Sequence, residues 1–220
     1  MRRQTKVAVV VAAMLGIAVV VLGALSQSRS DVSEPAAAGS ALEGAVVRDD
    51  SRVLGEPGST DVTFVEFLDF ECEACGAAFP IVEQLREDYT GDVTFVIRYF
   101  PLPGHLNAER AARAVESAAR QGELEAMYAR MYESQPTWGE SREPKDDLFR
   151  SFAEEIGLDM EQFDADYASE EVADRVQRDV EDGRSLGVEG TPTFFVDGDL
   201  FQPETVEDFA QVLDEALAGE

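Results

Sequence analysis

The sequence contains 220 residues with a formal net charge of −27 at pH 7, and it holds two cysteines and one histidine. Residues 1–30 carry four basic and no acidic residues, which leaves 14 basic against 45 acidic residues in the rest of the chain. A surface with this excess of carboxylates argues against binding to nucleic acid and against docking on anionic lipid.

Residues 7–25 form an uncharged apolar run that follows three basic residues at the N-terminus. At a rise of about 1.5 Å per residue, a helix of this length spans a bilayer core of about 30 Å. The basic flank predicts a cytoplasmic N-terminus, so we expect residues 1–25 to be a signal anchor and everything after them to face outward. The alternative is a secretory signal peptide cleaved within residues 24–26. Both interpretations place the rest of the chain in an oxidising compartment outside the cytoplasm.

The next segment, residues 26–50, is rich in Ser, Ala, Gly and Asp and lacks periodicity, which predicts a flexible tether. Residues 51–220 are long enough for one domain with a sizeable core. The sequence therefore predicts an anchor, a tether and a single folded domain.

Residues 62–70 are apolar at nearly every position, as expected of a strand that is buried on both faces. Glu66 interrupts this run in the middle. A buried carboxylate is unfavourable unless it has a partner or stays neutral, so Glu66 is a candidate functional residue. The alternative is a strand at the edge of the sheet with Glu66 in water.

Cys72 and Cys75 follow the strand, and residues 76–89 after them have a helix-compatible pattern. Free amide N–H groups and the helix dipole at a strand-to-helix junction stabilise a thiolate on the first cysteine, which favours a redox pair. A zinc site is one alternative, but it needs two further Cys or His donors and the chain offers only His105. A purely structural disulfide is the other, and it would close too short a loop to remove much entropy from the unfolded chain.

A second strand and a long helical block follow. Residues 93–100 predict a strand parallel to the first, because a helix connects the two. Residues 107–186 are helical in pattern almost throughout. Within this block we expect Asn107, Asp159 and Ser169 to cap helices and Gly157 to end one. We expect Trp138 to lie in a loop.

The C-terminal part predicts a hairpin and a last helix. Residues 194–196 and 200–201 are short apolar runs on either side of a tight Asp-Gly turn. A helical pattern with one apolar face covers residues 205–217. The predicted order of elements is therefore β-α-β, the helical block, and β-β-α.

Four features of the sequence occur together: the Cys-x-x-Cys pair, Glu66 six residues before it, Pro80 in the helix after it, and Thr-Pro at 191–192 before a later strand. With the order of elements, they resemble the thioredoxin superfamily, and the helical block resembles that of the DsbA-type thiol–disulfide oxidoreductases. The resemblance covers residues 51–220. It implies an α/β protein with a thioredoxin fold and an inserted helical domain at about residues 107–186, and the apolar run at the N-terminus adds one transmembrane helix before this fold.

The resemblance also implies roles for individual residues. Cys72 matches the exposed nucleophile, Cys75 the resolving thiol, and Glu66 the buried acid near the second cysteine. Pro192 matches a cis-proline that faces the disulfide. A cis bond there would turn the Thr191 backbone toward the site, where it could pair an extended client strand.

The activity implied by the resemblance is donation of the Cys72–Cys75 disulfide to reduced secreted or membrane proteins. Reoxidation by a quinone-linked membrane partner is expected, with no metal and no cofactor besides the disulfide. Two alternatives stay open: a reductase or isomerase kept reduced by a membrane partner, and a non-catalytic peptide-binding module. His105 is either a proton relay or a structural residue in a Pro-Gly loop.

The residues around the nucleophile depart from the family pattern. Glu73 and Ala74 stand where the strongest oxidases have Pro and His. Glu71 and Glu73 flank Cys72, and neighbouring carboxylates oppose a thiolate. We therefore expect a less stable thiolate and a weaker oxidant than DsbA.

Overall fold

The computed structural model describes residues 46–219 and places a five-stranded mixed sheet at the centre of the fold. The strands are β1 (Arg52–Val53), β2 (Thr63–Leu68), β3 (Thr94–Tyr99), β4 (Thr193–Val196) and β5 (Asp199–Phe201). Their spatial order is β1-β3-β2-β4-β5, with β2 parallel to β3 and the other neighbours antiparallel. The predicted parallel pair is confirmed, whereas β1 was missed because a strand of two residues has no periodicity.

Residues 46–219 contain seven helices: α1 (Glu73–Asp88), α2 (Ala108–Ala119), α3 (Leu124–Trp138), α4 (Asp146–Ile156), α5 (Met160–Ala168), α6 (Glu170–Ser185) and α7 (Glu207–Ala218). Helices α2 to α6 lie between β3 and β4. The predicted caps Asp159 and Ser169 are confirmed, since their side chains accept the N–H groups of Gln162 and Val172. Gly157 ends α4 at φ 92°, a left-handed conformation that glycine adopts without strain.

The predicted signal anchor and the tether up to residue 45 lie outside the described residues. Within residues 46–219, no helix is both long and apolar enough to span a bilayer. The described packing contacts begin at Val46, which is buried in an apolar cluster with residues of β2, β3 and α6. The last residues of the predicted tether therefore pack against the domain.

Alternating side chains of β2 and β3 cover opposite faces of the sheet. One face packs against α1, α7 and most of the helical block through Phe64, Leu68, Phe95 and Ile97. The other face packs against α6 and the segment around Val46 through Val65, Phe67 and Val96. By this alternation Glu66 belongs to the first face, and it lies in the central strand of the sheet. The edge-strand alternative for Glu66 is therefore wrong.

A buried network of ion pairs joins β3 to α6. Arg98 is fully buried and binds Asp179 with an Nε–Oδ1 distance of 2.6 Å, and it also pairs with Asp182. Arg175 binds Asp179 at 2.6 Å, and Arg48 binds Asp182. Breaking one partner of a buried pair destabilises a protein by about 3–5 kcal/mol, because the other charge is left uncompensated. The network therefore holds α6 and the start of the domain against the sheet.

Two predictions about helix ends are wrong. Asn107 precedes α2, but its side chain makes no capping bond and instead contacts the Glu143 carbonyl and the Lys145 N–H. Trp138 is the last residue of α3 rather than part of a loop, because the helix accommodates Pro136 within its last turn. The Trp138 ring is 1% exposed and belongs to the core.

Candidate active site

The cysteine pair lies at the start of α1, directly after the turn that follows β2. Cys72 precedes the helix with extended dihedral angles, φ −71° and ψ 121°, and its carbonyl accepts the Gly76 N–H at 3.1 Å. Both cysteines are free thiols. Cys72 is 9% exposed and Cys75 is fully buried, so Cys72 is the more accessible of the two cysteines. Cys72 is nevertheless less exposed than the resemblance implied.

The two thiols have opposite acidities. A hydrogen bond from Cys75 lowers the pKa of Cys72 to about 5 against the effect of burial, with further contributions from Thr191 and from the backbone amides of Cys75 and Ala74. Burial raises the pKa of Cys75 well above its ordinary value, and the neighbouring Cys72 and Glu66 add to this effect. At neutral pH, Cys72 is therefore a thiolate and Cys75 a thiol, as expected at a helix N-terminus.

Glu66 lies in the middle of the central strand, opposite Ile97 of β3 and Phe194 of β4. The residue is 2% exposed. Burial, followed by the charges of Cys72 and Glu83, raises the pKa of Glu66 to about 8. Its carboxyl group is therefore mostly protonated at neutral pH, and its ionisation depends on the state of the cysteine pair.

Two tyrosines of α3, Tyr128 and Tyr132, share the buried environment of Glu66 and Cys75. Their pKa values are raised by burial and also by the charges of Glu66 and Cys75. Their rings pack against Phe79 of α1 with centroid distances of 5.4 and 5.2 Å. Both hydroxyls and Glu66 Oε2 have no hydrogen-bond partner among the described residues. This aromatic environment has a low dielectric constant, which accounts for the raised pKa of Glu66.

The segment before β4 faces the nucleophile. The Thr191–Pro192 peptide bond is cis, as the resemblance implied. The Cys72 sulfur lies 3.4 Å from the Thr191 carbonyl oxygen, which accepts a hydrogen bond from Cys72 when the thiol is protonated. A shallow cavity of about 340 Å³ begins at Pro192 and follows the hairpin of β4 and β5, where Leu200 is 54% exposed. Thr191 and Pro192 therefore lie beside the cysteine pair.

Glu71 has a different role from the one that its place in the sequence suggested. The residue is 1% exposed, and its Oε2 accepts the Asn107 N–H at 2.6 Å. Glu71 therefore binds the backbone of the residue that precedes α2, where the helix dipole favours a negative charge. Glu73 is exposed in the first turn of α1 and remains the carboxylate next to Cys72 in the sequence.

Asp69 is a buried residue near the site that the sequence analysis missed. Its carboxylate accepts the N–H groups of Glu71 at 2.8 Å and Leu102 at 3.0 Å, and its Oδ2 lies 2.6 Å from His105 Nδ1. Its carbonyl accepts the Cys72 N–H at 3.1 Å. Asp69 therefore ties the His105 loop to the turn that holds the nucleophile.

The zinc alternative would need several ligands close together. Within residues 46–219, no group of three or more His, Cys, Asp or Glu side chains is arranged to hold a metal ion. The single histidine pairs with Asp69 instead.

The His105–Asp69 pair should make stability depend on pH. Partial burial lowers the pKa of His105, but the hydrogen bond and charge of Asp69 outweigh it, so the pKa lies above its ordinary value. Such a group stabilises the fold fully below its unfolded pKa of about 6.5, and the stabilisation is lost as the pH rises through the folded pKa. We expect His105→Asn to lower the free energy of unfolding more at about pH 5.5 than at about pH 8.5, by on the order of 1 kcal/mol.

Denaturant titrations at both pH values test this expectation. Glu140→Gln is a matched control, because Glu140 is 64% exposed at its side chain and lies 3.8 Å from His105 Nε2, so its removal should change little. Equal destabilisation by His105→Asn at both pH values would show that the ion pair contributes nothing.

Comparisons with known proteins agree with the fold. The sequence profile of the family described as Thioredoxin matches residues 48–215. The solved thioredoxin-like oxidoreductase from Silicibacter pomeroyi DSS-3 is 30% identical, with a TM-score of 0.66 over 79% of this chain and 96% of that chain. The thiol-disulfide exchange protein α-DsbA2 from Wolbachia pipientis shares the fold at 19% identity, with a TM-score of 0.67 over 82% of this chain and 98% of that chain. BdbD from Bacillus subtilis does so at 22% identity and a TM-score of 0.64, over 74% and 91% of the two chains.

The curated relatives are much longer proteins. The Na(+)/H(+) antiporter NhaA 1 of Mycobacterium sp. strain KMS is 33% identical over 198 residues, which cover 89% of this chain and 31% of the antiporter. The Na(+)/H(+) antiporter NhaA 3 of Salinispora tropica is 41% identical over 143 residues, which cover 64% of this chain and 21% of the antiporter. The chain thus spans less than a third of the length of these relatives.

The family profile covers most of the part that the structure describes, and the cysteine pair occupies the start of α1. The resemblance inferred from the sequence is therefore confirmed. The chain belongs to the thioredoxin family and shares the fold of the DsbA-type thiol–disulfide oxidoreductases.

Proposed function

We propose that this chain is an extracytoplasmic enzyme that donates the Cys72–Cys75 disulfide to reduced secreted or membrane proteins. The observation that carries the proposal is the asymmetry of the thiols: the pKa of Cys72 is lowered to about 5, whereas burial raises the pKa of Cys75. A stable Cys72 thiolate favours the reduced pair, and a pair with a stabilised reduced form oxidises other thiols. The disulfide itself is the redox group, with no further cofactor.

The exchange proceeds through a mixed disulfide between client and enzyme. A client thiolate attacks Cys72 Sγ, the Cys72–Cys75 bond breaks, and Cys75 leaves as a thiolate that takes up a proton. A second client thiolate then attacks the client sulfur of the mixed disulfide, and Cys72 leaves as a thiolate. Two electrons pass from the client to the cysteine pair, and the client gains one disulfide. The low pKa of Cys72 makes it the better leaving group in the second step.

Glu66 provides the proton that the leaving Cys75 needs. With a pKa of about 8, its carboxyl group still holds a proton near neutral pH, and the charge of Glu66 raises the pKa of Cys75. The carboxyl group donates this proton, directly or through a water molecule, and recovers one from solvent. In the opposite direction Glu66 accepts the proton of Cys75.

The client segment binds beside Cys72 in extended form. The Thr191 carbonyl lies 3.4 Å from Cys72 Sγ, and the cavity beyond Pro192 runs along a hairpin with the exposed side chain of Leu200. A client strand pairs its backbone with Thr191 and lays apolar side chains along this cavity.

The enzyme needs an electron acceptor to regain its disulfide, and we assign this role to a quinone-linked membrane protein. Residues 1–25 hold the domain beside that partner as a signal anchor. The curated relatives are named as Na(+)/H(+) antiporters, which are membrane proteins, and this supports a location at a membrane.

Thiol trapping in living cells tests the direction of electron flow. Cells are quenched with acid, free thiols are alkylated with a mass tag, and the tags on Cys72 and Cys75 are counted. A donor of disulfides should be found mostly as the disulfide. A pair found mostly as the dithiol would contradict the proposal and identify a reductase or isomerase, and a redox state that never changes with client load would identify a binding module.

Glu73 should tune the strength of the oxidant. Glu73 is exposed in the first turn of α1 next to Cys72 in the sequence, and a nearby negative charge opposes a thiolate, so Glu73→His should lower the pKa of Cys72 by up to about one unit. Each unit by which the pKa of Cys72 falls raises the reduction potential of the cysteine pair by at most roughly 30 mV. Thiolate absorbance against pH and equilibration with glutathione measure the two quantities. Glu87→His on the exposed side of α1 is the control, and an unchanged pKa in Glu73→His would contradict the expectation.

A further inference from the structure

Gln135, in the last turn of α3, reaches from the helical block into the turn that carries the nucleophile. Its side-chain Nε2 donates to the Phe70 carbonyl at 2.8 Å and to the Cys72 carbonyl at 2.9 Å. The residue is 7% exposed, so these bonds form away from water. The first carbonyl belongs to Phe70, two residues before the nucleophile, and the second belongs to the nucleophile Cys72 itself. One amide group therefore holds both ends of the turn.

Gly76 leaves the space that Gln135 occupies. A Cβ atom at Gly76 would lie 2.0 Å from Gln135 Oε1, which is far inside contact distance. The Gly76 N–H donates to the same Cys72 carbonyl that Gln135 binds, at 3.1 Å. Gly139 makes a second close approach, because its Cβ would lie 3.0 Å from the Gln135 carbonyl oxygen, and its N–H donates to that oxygen at 2.7 Å. Glycines thus stand at both places where the chain passes close to Gln135.

The position of the Cys72 carbonyl decides where the helix amides point. The Cys72 sulfur is stabilised by the N–H groups of Ala74 and Cys75, and their direction follows from the dihedral angles at Cys72. Fixing the Cys72 carbonyl fixes those angles. The amide hydrogens of Gln135 also face the negative ends of two carbonyl dipoles beside the thiolate, which reduces the repulsion that these dipoles exert on it.

We propose that Gln135 is a positioning residue that sets how strongly the Cys72 thiolate is stabilised, and through it the oxidising strength of the Cys72–Cys75 pair. The inference rests on the proposed thiol chemistry of Cys72 and adds a determinant from the helical block. The alternative is a purely structural role, in which Gln135 stabilises the fold and leaves the thiol chemistry unchanged.

Two variants break the hydrogen bonds from Gln135 to the Phe70 and Cys72 carbonyls in different ways. Gln135→Leu keeps a side chain of similar size without the donor, and Gly76→Ala displaces the Gln135 side chain while leaving its chemistry intact. Each is expected to raise the pKa of Cys72 by up to about one unit and to shift the glutathione equilibrium up to about tenfold toward the disulfide form of the enzyme, since hydrogen bonds of this kind have modest net energies. The double variant should show little additional change, because both substitutions break one interaction.

The readouts are thiolate absorbance against pH and the equilibrium with glutathione, with denaturant unfolding measured in parallel. Gln162→Leu is the control, because Gln162 is exposed on α5 and hydrogen-bonds Asp166 of the same helix and Asp159 at its cap. If Gly76→Ala does not fold, Gln135→Leu and Gln135→Met provide the test, because both keep a side chain of similar size and lack the donor.

A Gln135→Leu protein that is less stable but keeps the wild-type pKa and glutathione equilibrium would overturn the proposal in favour of the structural role. Failure of the proposed function gives a different result. In that case thiol trapping in cells would find the wild-type pair mostly as the dithiol, or the wild-type pair would not exchange with glutathione at all, whatever residue stands at position 135.

Discussion

Replacing Cys72 with Ser should reduce disulfide transfer to the background of the uncatalysed reaction, whereas replacing Cys75 with Ser should trap mixed disulfides between Cys72 and clients. Cys72 is the only one of the two sulfurs with exposed surface, and its pKa of about 5 makes it a thiolate at neutral pH. Cys75 is fully buried with a raised pKa, so it cannot meet a client thiol but can attack the neighbouring Cys72 sulfur.

Non-reducing electrophoresis after acid quenching, with the adducts identified by mass spectrometry, measures both effects. The double variant Cys72→Ser/Cys75→Ser controls for non-covalent association. If the Cys72→Ser protein accumulates client adducts through Cys75, the assignment of the two roles is wrong.

Replacing Glu66 with Gln should stabilise the reduced protein, and the gain should grow with pH. The folded pKa of Glu66 is about 8, above the ordinary value of 4.5. Below about pH 4.5 the carboxyl group is neutral in the folded and unfolded states, so it does not lower the free energy of unfolding. Between these values the unfolded chain releases the proton while the folded chain keeps it, so the free energy of unfolding falls as the pH rises. Above about pH 8 the carboxyl group is ionised in both states, and the free energy of unfolding falls no further on its account.

The expected gain of Glu66→Gln at about pH 8 is on the order of 3–5 kcal/mol, because each unit of pKa difference corresponds to about 1.4 kcal/mol. Urea unfolding of the reduced protein between about pH 4.5 and pH 8 measures it. Glu87→Gln on exposed α1 surface is the control and should show no such trend. A pH-independent difference between wild type and Glu66→Gln would contradict the raised pKa. The same variant should slow proton transfer to Cys75 and therefore client oxidation.

Local sequence signals predicted the elements that carry the chemistry. The apolar run before Cys72, the helical pattern after Cys75 and the Thr-Pro before β4 each act over a few residues, and each is found where it was predicted. Glu66 was recognisable because a carboxylate in an apolar run has few explanations.

The residues that support the site could not be predicted, because their contacts join distant parts of the chain. Gln135 binds carbonyls 65 and 63 residues before it, and Asp69 meets His105 across 36 residues. Glu71 was misjudged for the same reason: sequence distance placed its charge beside Cys72, whereas the fold turns it to the start of α2. A single polar residue has no sequence periodicity, so its partner becomes known only when the folded structure brings distant parts of the chain together.

Disulfide transfer from the oxidised protein to a reduced, unfolded client is the most direct test of the central claim. The oxidised protein and the client are mixed without any other oxidant, and the thiols of both are alkylated and counted over time. The account predicts one client disulfide for each Cys72–Cys75 pair reduced, with faster transfer than the same amount of oxidised glutathione gives. A protein that stays oxidised while the client keeps its thiols would contradict it.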